Sequence, residues 1–150
     1  MRLLHTSDWH LGKRLFDKER YDVFEKFLAW LLSTIRQERV DTLIVAGDIF
    51  DTAVPTNKSL RLYYDFLSQL TSSECRHVVS GNHDSPTLLE APKGILENFG
   101  VHVIGGAESP EDEVIELKDK AGNLEGVVCA VPFLRERDIL RLKDDSTLSR

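Results

Sequence analysis

The chain has little of what would cross-link it or send it into a membrane. Only two cysteines occur in 150 residues, Cys75 and Cys129, and they share no Cys-x-x-Cys spacing. With no secretory context either, neither a disulfide framework nor a paired-thiol motif is present, and both are read as reduced, structural residues. No apolar run approaches the roughly 18 to 20 residues that a membrane-spanning helix needs. The first residues, Met1-Arg2-Leu3-Leu4-His5-Thr6, carry one basic side chain but no hydrophobic signal segment. A cytoplasmic protein with no membrane contact is the expectation. Positive charge is also short: the formal net charge is -6. That balance opposes non-specific binding to nucleic acid unless basic residues gather locally. Internal repeats, low-complexity tracts and linkers are absent.

What is there suits one ordinary core. Hydrophobic residues make up 41% and charged residues 29%, a globular balance, in a chain too short for two comfortable domains. The hydrophobic pattern alternates between strand and helix. Leu3–Ser7 is a short strand that stops at Asp8. Between Tyr21 and Ile35, Phe24, Phe27, Leu28, Leu31, Leu32 and Ile35 recur at three and four residues, which predicts an amphipathic helix. Asp41–Ala46 reads as a buried strand, and a helix after Pro55 places Leu60, Tyr63, Tyr64, Leu67 and Leu70 on one side. His77–Ser80 is a third strand. A helix near Leu88–Asn98 should break or restart at Pro92, which offers no amide donor, and a strand follows at Val101–Ile104. Val114–Leu117, a turn at Lys120–Asn123 and Val127–Val131 read as a hairpin. An α/β domain that adds antiparallel strands late is expected.

Three short motifs then stand at strand ends: Asp8-Trp9-His10, Gly47-Asp48-Ile49-Phe50-Asp51 and Gly81-Asn82-His83-Asp84. Each alone is ordinary turn chemistry. Their joint placement is not, because ligands of open α/β sheets gather beyond the carboxyl ends of the strands. On an extended turn, Asp8 and His10 would project to one side and hold a divalent ion. Asp48 is the natural bridging ligand, since its two oxygens can serve two cations, and Asn82 offers a carbonyl oxygen to the second. Mixed oxygen and nitrogen ligation suits two Mn²⁺ ions, with Mg²⁺ or another divalent ion as alternatives. Such a pair activates a water and stabilises the attacking and leaving oxygens of phosphoryl transfer. His83 is placed to protonate a leaving alkoxide, and Asp51 to orient His83 by accepting its other ring proton. Asp84-Ser85-Pro86 reads as the entry to the next helix, with Pro at its first position. His5 reads as a core histidine of the first strand, and His77 and His102 as non-ligands.

Beside the first motif lies a local basic run. Lys13, Arg14, Lys18 and Arg20 face Asp17 and Glu19, four positive charges against two. These four cations are the candidate nucleic-acid-binding residues.

The three motifs match, without substitution, the D-x-H, G-D-x-x-D and G-N-H-D/E signature of the calcineurin-like metallophosphoesterase superfamily. Within it the chain resembles the SbcD family of nuclease subunits, through His5–Gly12, Val45–Asp51 and Val131–Asp138. The resemblance implies a sandwich of mixed sheets flanked by helices, of which residues 1–150 form the N-terminal part, with no second domain. It implies a manganese-dependent DNA nuclease, exonucleolytic on duplex ends and endonucleolytic on single strands or hairpins. It also implies Asp8 and His10 on one metal, Asp48 bridging, Asn82 on the other and His83 assisting the leaving group. An SbcC-type ATPase partner and a homodimer complete it, the dimer built from the helices after the second and third motifs. Tyr63, Tyr64 and Phe66 fit such an interface, but a plain core stripe is the more frequent explanation for such a pattern.

The superfamily pattern continues with further metal-ligating histidines, and no histidine occurs after His102. The expectation is therefore a segment of a longer protein, carrying about half an active site and an exposed sheet edge. Two other readings stay open: a small-substrate phosphoesterase or phosphatase of the same fold, and an inactive binding or dimerisation module.

Overall fold

The computed structural model describes residues 1–71, 76–80, 85–106, 109, 111–119 and 121–132, with 76–80 described by their backbone. Ten elements follow the predicted alternation: β1 (Leu3–Thr6), α1 (Tyr21–Glu38), β2 (Thr42–Ala46), α2 (Asn57–Thr71), β3 (Arg76–Ser80), α3 (Pro86–Glu90), α4 (Lys93–Glu97), β4 (Val101–Ile104), β5 (Val114–Lys118) and β6 (Leu124–Cys129). The first four strands make one parallel sheet in the order β1-β2-β3-β4. Right-handed crossovers that all step the same way put every helix on one face. The main core agrees. Leu43, Val45, Val101 and Val103 from the sheet pack with Phe24, Leu28, Leu31 and Ile35 of α1, Tyr63, Phe66 and Leu70 of α2, Leu89 of α3 and Leu96 of α4.

The antiparallel pair β5–β6 covers part of the other face, where Ile104, Ile115, Leu117 and Ala130 are buried against half-buried Ile44 and Val128. The second strand of this pair begins at Leu124, three residues before the start expected from sequence. Asp119 is the reason. Its carboxylate accepts hydrogen bonds from the Ala121 and Asn123 amides, each at 2.8 Å, and from Asn123 Nδ2 at 2.9 Å. The turn closes tightly, so pairing resumes as soon as Asn123 is passed. The Asn123 side chain first, and the backbone amides with it, hold the Asp119 carboxyl below the usual carboxylate range.

Helix ends follow local chemistry. The N-terminus of α2 is capped by Thr56, whose Oγ1 accepts the Ser59 amide at 3.2 Å. The C-terminus of α1 closes with Arg39 in the left-handed region (φ 51), its amide on Arg36 O and the Val40 amide on Ile35 O. This is a Schellman-type ending with arginine where glycine is usual. Pro86 occupies the first turn of α3, and Pro92 separates α3 from α4, as its missing donor requires.

His5 corrects a sequence expectation. It is exposed rather than packed in the core. By register it neighbours Ile44, on the face opposite the helices, and β1 is an edge strand among the described residues. Nothing described covers it there. On α2 the core-stripe reading of the aromatics holds. Tyr63 and Phe66 are each 1% exposed, and half-buried Tyr64 packs on Tyr63 with ring centroids 5.3 Å apart and planes tilted by 58°. Burial pushes the Tyr64 phenol above its ordinary value.

Candidate metal centre

The parallel pairing of β1 with β2 does not stop where the strands do. Beyond them the Asp8 amide donates to Gly47 O at 3.1 Å, His10 to Asp48 O at 2.8 Å, Leu11 to Ile49 O at 2.8 Å and Asp51 to Leu11 O at 3.3 Å. Leu11 and Phe50 form an isolated parallel bridge. Four backbone hydrogen bonds thus zip the first two motif loops together, and the ladder geometry sets their side chains side by side.

The turn at the first motif is not extended, contrary to the expectation from sequence. Asp8 (φ 56), His10 (φ 48) and Asp48 (φ 51) all lie in the left-handed region, and Gly47 precedes Asp48 at φ 83. Such residues each cost on the order of 1 to 3 kcal/mol and persist where their surroundings over-determine them. Trp9 supplies that constraint for the first motif. It is 6% exposed and meets Phe27 of α1 at 5.8 Å and Phe66 of α2 at 5.3 Å, both edge to face. Its Nε1 donates to Thr6 Oγ1 at 3.1 Å. Trp9 goes into the core, and the two ligands on either side of it turn outward together.

The result is a cluster in which donor atoms of Asp8, His10 and Asp48 all lie within 4.8 Å of one another. His10 Nε2 stands 4.0 Å from Asp8 Oδ1 and 3.7 Å from Asp48 Oδ2. Two carboxylates and an imidazole nitrogen facing one point fit a divalent cation. Asp48 is 8% exposed, and a carboxylate so placed is best offset by a positive ion. The other ring nitrogen, His10 Nδ1, is buried without a hydrogen-bond partner and lies 3.5 Å from Asp51 Oδ1. Asp51 therefore stands behind a candidate ligand histidine, where a carboxylate can fix ring orientation and tautomer. Asn82, His83 and Asp84 lie outside the described residues, as does Cys75; Cys129 is an exposed free thiol.

The basic run forms a built element rather than a loose loop. Lys13 Nζ reaches Asp51 Oδ1 at 3.8 Å. Leu15 and Lys18 exchange backbone hydrogen bonds at 3.1 and 2.9 Å around Phe16 and Asp17. The Arg14 guanidinium donates to Asp17 O at 2.5 Å. The run is flanked by α2 and its cap: Gly12 lies close to Ser59, and Tyr21, which follows the run, hydrogen-bonds Thr56 at 2.7 Å. Lys58 sits over the Tyr21 ring at 4.0 Å.

Gly12 is required there twice over. Its φ is +100, and a Cβ would fall 2.5 Å from Ser59 Oγ with nothing else closer than 3.7 Å. Gly12→Ala is expected to cost about 1 to 3 kcal/mol. In a Ser59→Ala background the hydroxyl clash is gone, so the cost should shrink to the backbone share. Urea unfolding of the four variants would measure it, and strictly additive effects would refute the contact.

Of the residues singled out from sequence, the structure brings together Asp8, His10, Asp48 and Asp51, with Lys13 at their border. Sequence reasoning missed the anchoring role of Trp9 and the contact of Asp51 with His10. A lone large apolar residue between two polar ligands was the available signal for the first. The second had none, because it depends on how the loops zip.

Residues 1–141 match the family described as calcineurin-like phosphoesterase. Proteins named as the SbcD component of the SbcCD nuclease are similar across most of the chain. That of Escherichia coli is 40% identical over 141 residues, covering 93% of this chain and 34% of its own length. That of Rhodobacter capsulatus is 40% identical over 152 residues, covering 95% and 38%. That of Bacillus subtilis is 38% identical over 127 residues, covering 83% and 32%. The chain thus spans about a third of the length of these relatives. With the family match over residues 1–141 and the ligand cluster that its first two motifs assemble, the chain belongs to the calcineurin-like phosphoesterase family.

Proposed function

We propose that this chain is the N-terminal part of a metal-dependent DNA nuclease of the SbcD type, which hydrolyses phosphodiesters in DNA repair or recombination. The observation that carries the reading is the zipped pair of motif loops, with Asp8, His10 and Asp48 converging beside a cationic hairpin. The name its relatives bear, as the SbcD component of the SbcCD nuclease, supports the same class of reaction.

Asp8 and His10 would hold one divalent ion, Asp48 would bridge, and Asn82 would serve a second, with Mn²⁺ the ion best matched to the donors. When bound, such ions supply Lewis acidity that offsets charge on the phosphate oxygens. The remaining work belongs to side chains of this chain. Asp51, 3.5 Å from the far nitrogen of His10, would orient that ring and, as the sequence motifs suggest, also His83. His83 delivers a proton to the leaving alkoxide. Lys13, Arg14, Lys18 and Arg20 draw in the phosphate backbone against the overall charge of -6. An SbcC-type ATPase, a second copy of the chain and a cytoplasmic setting belong to the same proposal. No helix among the described residues is long and apolar enough to cross a membrane.

The test is cleavage of a labelled DNA duplex by the complete protein as a function of Mn²⁺, with Asp48→Ala as control. Metal-dependent cleavage lost in the variant supports the reading. Hydrolysis of a simple phosphodiester with DNA left intact would move the assignment to a small-substrate esterase. His83→Ala separates roles further: metal binding should persist by calorimetry while cleavage falls by about 100-fold or more, the usual scale of acid–base assistance. Loss of the metals in that variant would remove His83 from the proton-donor role.

A further inference from the structure

Phe16 is 92% exposed, more than any other large hydrophobic side chain among the described residues. It stands at the tip of the two-residue hairpin between Leu15 and Lys18, with φ 47 at Phe16 and 60 at Asp17. Positive φ at both central residues is the type I′ pattern, which asparagine and glycine favour and bulky side chains resist. The sequence therefore accepts two local costs at one position, a strained backbone and a large apolar ring in water. Neither is repaid by any contact of Phe16 within the described fold. Such an outlier points outward, to a partner.

We propose that Phe16 is a stacking residue for an unpaired nucleobase at or near the end of the DNA. This deepens, and rests on, the reading of DNA as substrate. Three observations select a base rather than a protein surface. The ring sits within a run carrying Lys13, Arg14, Lys18 and Arg20 against Asp17 and Glu19, a surplus of two positive charges in a chain of net -6. An aromatic ring set among cations is how single-stranded nucleic acid is held, the ring taking the base and the cations the backbone. The hairpin also begins at the metal centre, since Lys13 touches Asp51, which touches His10. A base stacked on Phe16 belongs to a strand whose phosphates run toward the ligand cluster. Finally, the mount is rigid. Tyr21 on Thr56 and Arg14 on Asp17 O hold the base and the turn of the hairpin, so little backbone ordering is needed to present the ring.

The substrate preference follows. A paired terminal base already stacks on its neighbour, and an overhang or frayed end does not. Phe16 should favour ends with unpaired bases over blunt duplex.

The test uses the complete protein with Mn²⁺ and duplexes ending either blunt or in a short single-stranded overhang that carries 2-aminopurine. Phe16→Asn suits the turn and removes the ring, and Phe16→Trp restores a ring. For Phe16→Asn, overhang affinity should fall by about 5- to 150-fold, the range for one stacked base, while blunt-duplex affinity changes little. The slope of log affinity against log salt should stay constant, because no phosphate contact is lost. Quenching of 2-aminopurine on binding should vanish in Phe16→Asn and return in Phe16→Trp. The melting temperature of Phe16→Asn should hold or rise, which rules out misfolding. Unchanged overhang affinity and quenching in Phe16→Asn would overturn the stacking role while DNA binding itself stands. A variant that keeps DNA binding but loses self-association or its ATPase partner would overturn it in favour of a protein contact. Failure of the unmodified protein to bind any DNA would take down the substrate reading and this inference together.

Discussion

Trp9→Ala should destabilise the protein by about 3 to 5 kcal/mol, the range for removing a buried aromatic. Against the roughly 5 to 15 kcal/mol available to a domain, that is a large fraction. The indole fills the space between Phe27 and Phe66 and donates its one proton to Thr6 Oγ1. Its loss leaves a cavity between α1 and α2 beneath the first motif. The functional consequence should be as large. Asp8 and His10 hold left-handed backbone angles on either side of Trp9, and the wedge is what makes those angles tolerable. Calorimetric Mn²⁺ binding should therefore weaken together with stability. Trp9→Phe keeps most of the packing and loses the hydrogen bond, so it should cost about 1 kcal/mol beyond its smaller volume. Chemical unfolding of both variants decides the matter. Full metal affinity in a destabilised but folded Trp9→Ala would show that the loops hold their shape without the indole.

Asp48→Ala should abolish Mn²⁺ binding, and its stability signature should cross over with the metal. Without metal, Asp48 sits almost buried in a cluster that also holds Asp8. Two like charges so close oppose folding, so neutralising one should leave the metal-free melting temperature unchanged or raise it. With Mn²⁺ at about 100 times its dissociation constant, the unmodified protein should gain about 2.7 kcal/mol. For a domain of this length that is a rise of about 5 to 10 °C. The variant should gain nothing. Thermal melts with and without Mn²⁺ read both halves at once. An equal metal-induced rise in Asp48→Ala would place the ion elsewhere.

Much of this was legible from residue order. The strand positions, the break at Pro92 and the amphipathic face of α1 come from hydrophobic periodicity and proline chemistry, which act within a few residues. The ligand types were legible too, because Asp8, His10 and Asp48 follow predicted strands and the carboxyl ends of parallel strands share one edge. Other features were not. His5 looked like core because its strand is apolar, yet among the described residues β1 lies at an edge and its residues alternate between a helix-covered face and one left uncovered at His5. The β6 boundary moved because Asp119 tightens a turn whose pull on three donors cannot be read from spacing.

Residue identity and order were enough to say which side chains are candidates for the chemistry and which strands they follow, since donor atoms, charge and local periodicity are properties of side chains and short segments. How those side chains meet is a matter of the folded chain. The backbone ladder that carries β1–β2 pairing into the loops, the insertion of Trp9 between two helices and the placement of Asp51 behind His10 are all long-range effects. They depend on contacts between residues 18 to 57 positions apart in the chain, and no local pattern encodes those distances.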